Sequence, residues 1–187
     1  MIIDLTYQIH EGMFTYHSDS EPKISRRPAG FLEEKIKSGK IDLEITNHHG
    51  THIDAPCHKI PFAKTINFYL LEKFINNCLL IDLTSIDFMK RETREIRSED
   101  IQQEVGIEHF SEVKSLIFYT GFCDEISRLE GSLFGQEKKN FEKTFPYFSK
   151  DAAEYIVSSK PNDLNIVGID SFAVDKSGSS EVHKTFF

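Results

Sequence analysis

"IDLEITNHHGTHIDAPCH", residues 41–58, decides how this chain is read. Its first half alternates, with Ile41, Leu43 and Ile45 on one face and Asp42, Glu44 and Thr46 on the other. That is the period of a β-strand. Its second half places four of the chain's eight histidines in eleven residues, beside Gly50, Asp54 and Pro56. On a helix, at about 100° per residue, His48 and His52 share a face but Asp54 falls about 240° from His48. In an extended chain positions 48, 52, 54 and 58 have one parity, so His48, His52, Asp54 and His58 all point one way. The alternation just before the motif favours the extended form, and the segment is read as a strand or the rim at a strand's end.

Two imidazoles and a carboxylate suit Zn²⁺, Mn²⁺ or Fe²⁺ and leave a coordination position open for water. Gly50 lets backbone come close to a ligand. Thr51 can hydrogen-bond a ligating group or the backbone. Pro56 ends a strand by removing a ladder donor, which lets His58 return over the site. The bland alternative is a surface turn with chance clustering, and four donors of one parity weigh against it. His49 and Cys57 have the opposite parity. His49 is expected to support the structure or a ligand. Cys57 is expected to face the core, which makes nucleophilic cysteine chemistry the weaker idea.

The remainder of the chain bounds these ideas. Its 187 residues are enough for one domain with a real core, and 39% hydrophobic with 28% charged residues is an ordinary globular profile. Sixteen Phe, six Tyr and no Trp point to a core or pocket lined with rings. A net charge of −8 with scattered basic residues argues against a nucleic-acid surface. Lys90 to Arg97 is the nearest thing to a basic cluster, and Glu92 and Glu95 interrupt it. No signal peptide is read in the opening residues, and no apolar run approaches the roughly 20 residues of a membrane span. Cys57, Cys78 and Cys123 are far apart and without paired spacing, so they are read as reduced thiols of a cytoplasmic protein.

Strands are expected at residues 1–9, at 41–46, in "CLLIDLTSI", in "VKSLIFYTGF" ending at Gly121, and in "LNIVGIDS" turning at Gly168. Helices are expected from Ser98 and after Ser149, which is placed as an N-cap. "INFYLLEKFI" carries mixed signals, residues 24–40 are irregular or a hairpin, and Cys123 to Phe145 is read as a surface excursion. Asp170 either lines the site or caps a turn. Strands interspersed with helices indicate an α/β or α+β class.

His-x-Gly-Thr-His-x-Asp-x-Pro-x-His, filled by His48, Gly50, Thr51, His52, Asp54, Pro56 and His58, resembles the signature of the metal-dependent cyclase-like hydrolases. Kynurenine formamidase (arylformamidase) is their best-known activity. "IIDLTYQIHEGM", "LLIDLT", "FYTGF" and "FPYFSKDAAEYIV…VGIDS" are similar to further parts of that family, so the resemblance covers most of the chain. It implies an α/β chain of a single domain over residues 1–187, the swivelling β/β/α fold with a central, mostly buried sheet, assembled as a homodimer. It implies that His48, His52 and Asp54 bind a first divalent metal, zinc or manganese. Asp54 would bridge to a second metal where one exists, and His58 would be the general base or proton shuttle. The reaction implied is hydrolysis of a small amide, N-formylkynurenine to kynurenine and formate, by metal-activated water.

The family pattern continues with a later His and then a Glu that complete a second metal site. His183 supplies the first, read either as a ligand or as an exposed histidine near the terminus; no matching Glu follows, and nothing in the spacing supports Glu181. The end at Phe187 is read as a truncation that omits the family's C-terminal strand, so one metal site is expected and the second is open. In the N-terminal loop "TYHSDSEP" stands where the family tends to have an aromatic-Pro-Gly-Asp turn. Tyr16 and Phe14 either stack on an aryl substrate or are incidental loop aromatics. Two alternatives accompany the formamidase reading: a cyclic-amide (isatin-type) hydrolase, and a truncated metal-binding homologue with little activity.

Overall fold

The computed structural model describes residues 3–27, 40–159 and 164–187. Seven strands are described: β1 (Lys23–Arg27), β2 (Lys40–Glu44), β3 (Cys78–Asp82), β4 (Glu95–Ile96), β5 (Ser115–Tyr119), β6 (Tyr147–Phe148) and β7 (Ile166–Ile169). The α-helices are α1 (Ser98–Glu104), α2 (Phe122–Leu129), α3 (Gly135–Phe141), α4 (Lys150–Ser159) and α5 (Glu181–Phe186). They fall into two compact units, Met1–Ile53 with Glu130–Glu142, and Asp54–Leu129 with Lys143–Phe187.

The second unit holds the central sheet, parallel and in the order β3-β5-β7. Leu116 pairs with Leu79 on one side and Val167 on the other, and the register carries Phe118 opposite Ile81 and Ile169. Parallel neighbours need crossover connections, and the helices between the strands supply them. Leu116 and Phe118 of the middle strand are fully buried, as are Ile101 of α1 and Ala152, Ala153 and Ile156 of α4. Phe118 meets Phe148 edge-on at 4.9 Å between centroids. A side chain of that size stabilises the fold by about 2–3 kcal/mol on burial. In β3 successive side chains point to opposite faces, so Ile81 is buried while Leu80 on the other face is exposed.

The capping of these helices follows local chemistry. Ser149 Oγ accepts the Ala152 N–H at 3.2 Å, the N-cap expected of it. α1 begins at Ser98, yet Arg97 is the cap residue, and Asp100 accepts the Arg97 N–H at 2.8 Å. Ser98 instead donates its hydroxyl to Asp151 at 2.7 Å. Asp170 follows β7 and accepts the Thr120 N–H at 2.7 Å and the Cys123 N–H at 3.3 Å. It therefore holds the turn into α2, the capping alternative of the two.

In the first unit β1 and β2 form an antiparallel pair with Lys23 opposite Glu44. Ile41, Leu43 and Ile45 alternate as expected but remain exposed. α3 packs on the N-terminal loop: Phe141 lies 4.8 Å from Phe14, and Lys138 donates to the Gly12 carbonyl at 3.0 Å.

Several expectations are corrected. Residues 3–9 form no strand, because their donors go to side chains: Thr6 N–H to Asp4 and Tyr7 N–H to Thr51 Oγ1. Residues 48–58 form no strand: the chain turns and bends through residue 51, runs without regular structure over 52–55, where Ala55 is extended, and ends in a 3₁₀ turn at Pro56–His58. Gly50 has φ +67°, which breaks the parity on which the extended reading rests. The stretch from Cys123 to Phe145 contains most of α2 and all of α3, with Ile126 and Phe145 buried. Gly168 sits inside β7, not at its turn. Of residues 24–40, read as irregular or a hairpin, 28–39 lie outside the described residues.

Candidate metal centre

In the first unit the motif's histidines sort themselves by partner. His49 is buried; its Nδ1 accepts the Thr46 N–H at 3.1 Å, so Nε2 carries the proton and donates to the Ser20 carbonyl at 2.8 Å. It ties the motif to the neighbouring loop, the supporting role expected of it. His52 Nδ1 donates to the Gly50 carbonyl at 2.9 Å, which leaves the lone pair on Nε2. That lone pair faces His48 Nδ1 at 3.1 Å. The Asn47 amide nitrogen faces His48 Nε2 at 3.2 Å, so the one proton between the two rings belongs to His48 Nδ1. The rings meet edge-on at 4.9 Å.

In the second unit Asp54 faces two imidazoles. Its Oδ2 lies 3.4 Å from His183 Nε2 and 4.0 Å from His58 Nε2, and the His58 and His183 rings are 5.4 Å apart. His183 is buried in α5, and Asp175 accepts both its backbone N–H, at 3.0 Å, and its ring Nδ1–H. Asp175 also accepts the Val182 N–H at 2.9 Å, so one carboxylate starts the helix and aims the ring. Burial pushes the Asp175 carboxyl up, but the hydrogen bonds from His183 and Val182 outweigh it and bring it down to about 2. Burial alone lowers the His183 pKa; hydrogen bonds to Asp175 and then Asp54 reverse this and raise it.

The structure therefore brings His48 to His52, and Asp54 to His58 and His183. It distributes the aromatic candidates differently. Phe14 is 2% exposed with its ring against Phe141, a core position of the first unit. Tyr16 is half-buried, 4.4 Å from the His17 ring. Cys57 is exposed rather than turned to the core, because the 3₁₀ turn replaces the strand whose parity would have buried it. Asp175 is the residue of this cluster that sequence reasoning missed. Its only signal is an acidic residue seven and eight positions before the Val182 and His183 N–H groups of a helix start.

A cleft of about 530 Å³ opens elsewhere in the second unit, past the ends of β3 and β5, lined by Thr84, Arg94, Thr120, Phe122, Glu125 and Arg128 among others. None of Asp54, His58 or His183 lines it. Volume alone does not mark a site, and the donor geometry does. No helix among the described residues is long and apolar enough to cross a membrane.

Known proteins give this geometry its context. A solved structure described as "The structure of predicted metal-dependent hydrolase from Bacillus stearothermophilus" matches with a TM-score of 0.64 at 24% identity, covering 98% of this chain and 75% of that one. It shares the fold. A Haemophilus influenzae protein described as "Uncharacterized protein" is 30% identical over 126 residues, 67% of this chain and 78% of its own length. The model of the Cyclase family, described as "Putative cyclase", matches residues 3–176. The chain belongs to that family.

Proposed function

We propose that the chain is a metal-dependent hydrolase of a small amide, with an aryl formamide such as N-formylkynurenine as its substrate. The observation that carries this is the His48–His52 pair. Their Nδ1 and Nε2 face one another at 3.1 Å, so a shift of the His48 proton to Nε2, with the Asn47 amide turned to accept it through its oxygen, leaves two lone pairs converging, while Gly50 holds the far side of His52. An imidazole anchored through one nitrogen and presented through the other is the usual form of a metal ligand. His183, anchored by Asp175 and turned to Asp54, has the same form. The donor set thus fits a divalent ion, with zinc and manganese both compatible with nitrogen and carboxylate ligands.

His48, His52 and Asp54 would hold the ion, with His183 as a further ligand. When bound, such an ion lowers the pKa of its water and polarises a carbonyl. His58, beside Asp54, takes the proton released as water adds to the amide carbon and returns it to the leaving nitrogen. The C–N bond breaks, giving the acid and the amine. Asp54 lies 4.0 Å from His58 Nε2, close enough to favour the imidazolium that forms when the proton is taken up. Tyr16 would bear on the aryl ring, with Phe14 beneath its loop as packing.

The test is formate release from N-formylkynurenine by protein reconstituted with zinc or manganese, beside a cyclic amide of the isatin type. The reading predicts turnover of the formamide and a loss of about 10²–10⁴-fold in His58→Ala. Ring opening of the cyclic amide alone would move the substrate to the second class. Hydrolysis of neither by metal-loaded protein would refute the proposal.

A further inference from the structure

We propose that Tyr7 and Glu130 are positioning residues for His52, a role that rests on the reading of His52 as a metal ligand. Neither residue belongs to the histidine motif, yet contacts within the first unit connect them to it. The Tyr7 N–H donates to Thr51 Oγ1 at 2.9 Å. The Tyr7 carbonyl oxygen lies against Gly50, where a Cβ would sit 3.1 Å from it and 2.9 Å from Ile9 Cγ1. Gly50 in turn supplies the carbonyl that accepts the His52 Nδ1–H. The backbone of Tyr7 is thus a floor under the turn that sets the His52 tautomer.

The other end of Tyr7 is fastened as well. Its hydroxyl donates to Glu130 Oε1, which His10 Nε2 also approaches at 3.2 Å. The remaining His10 nitrogen faces the Glu11 carbonyl at 2.9 Å. Burial, and then Glu130, push the Tyr7 phenol upward, so it stays a donor across the working pH range. A residue held at both its backbone and its ring tip cannot slide, and the Gly50 carbonyl above it inherits that stillness. A ligand imidazole whose anchor moves presents its lone pair in the wrong direction for part of the time. Groups behind ligands in this way typically change metal affinity by about 10–100-fold.

Tyr7→Phe and Glu130→Ala remove the bond, and Glu130→Gln keeps an acceptor for the phenol. Two quantities are read on each: the ring ¹⁵N resonances of His52 in metal-free protein, and Co²⁺ affinity by competition with a chelator. The expected result is a single Nδ1–H tautomer in the wild type. Tyr7→Phe and Glu130→Ala should mix tautomers and weaken Co²⁺ binding by about tenfold, and Glu130→Gln should restore both. His52 resonances identical in all four proteins would overturn the proposal. If the resonances move as expected but the wild type binds no Co²⁺, the positioning role stands and the metal reading fails. Should Glu130→Ala not fold, the comparison of Tyr7→Phe with Glu130→Gln decides the matter alone.

Discussion

Asp175 accepts two hydrogen bonds from His183, one from its backbone N–H at 3.0 Å and one from its ring. The same carboxylate starts α5 and fixes which His183 nitrogen is left for Asp54.

Asp175→Asn keeps the size of the side chain and removes its charge. An amide can still accept from the helix N–H groups through its oxygen, but it offers a weaker anchor to the ring. Metal affinity should fall by about 10–100-fold while the fold survives. Competition titration with a chelator measures this. Unchanged affinity would show that His183 is not a ligand.

Gly50→Ala tests the turn directly. At φ +67° an alanine is strained, and its Cβ would sit 2.9 Å from Ile9 Cγ1, closer than real Cβ contacts, and 3.1 Å from the Tyr7 carbonyl oxygen, tighter than most. The unfolding free energy should drop by about 2 kcal/mol, read from the urea midpoint. An unshifted midpoint would mean that the turn is not held as described.

How much of this was legible beforehand depends on whether a residue's role is local. The strand β5 stands out as a continuous apolar run because most of its residues are buried between covered faces, while β7 is an apolar run whose residues are half-buried. Ser149 is visible as a cap because the group it serves is three residues away. The histidine motif is legible as a candidate metal site from residue types and spacing, yet its shape is not, since parity assumes a strand and Gly50 makes a turn. α2 escapes notice because its covered face is narrow, with Phe122 and Ile126 buried among charged neighbours. Asp175, Tyr7 and Glu130 escape because their partners are brought in by the fold. Glu130 reaches Tyr7 across 123 positions of sequence.

Acid should destabilise the chain through Asp100, among other carboxylates. Burial raises its pKa, but hydrogen bonds from the Arg91 side chain and the Arg97 N–H, with both charges, outweigh burial and hold it below the usual range. The Arg91 pair is two-pronged, at 2.7 Å for each contact. A carboxyl lowered in the folded state stabilises above its unfolded pKa of about 3.9, and that stability is lost as pH falls through the folded value. Asp100→Asn should cost about 3 kcal/mol at neutral pH, because it leaves the Arg91 charge without its partner. It should also flatten the slope of stability against pH on the acid side. Denaturant melts at pH 3, 5 and 7 read both effects, and equal slopes in the two proteins would contradict the assignment.

Phe118→Ala removes the ring that joins the middle strand to Phe148. It should lower stability by about 3–5 kcal/mol without altering the affinity of surviving folded protein for metal. A loss below 1 kcal/mol would mean that the core closes over the gap or was never centred there.

The most direct test of the central claim is divalent metal per chain by elemental analysis, on wild type, His52→Ala and Asp54→Asn reconstituted alike. The account predicts at least one ion per wild-type chain and a marked loss of bound ion in both variants, with formate release lost in step. Wild-type protein that retains no zinc or manganese, or variants that retain as much as the wild type, would contradict it.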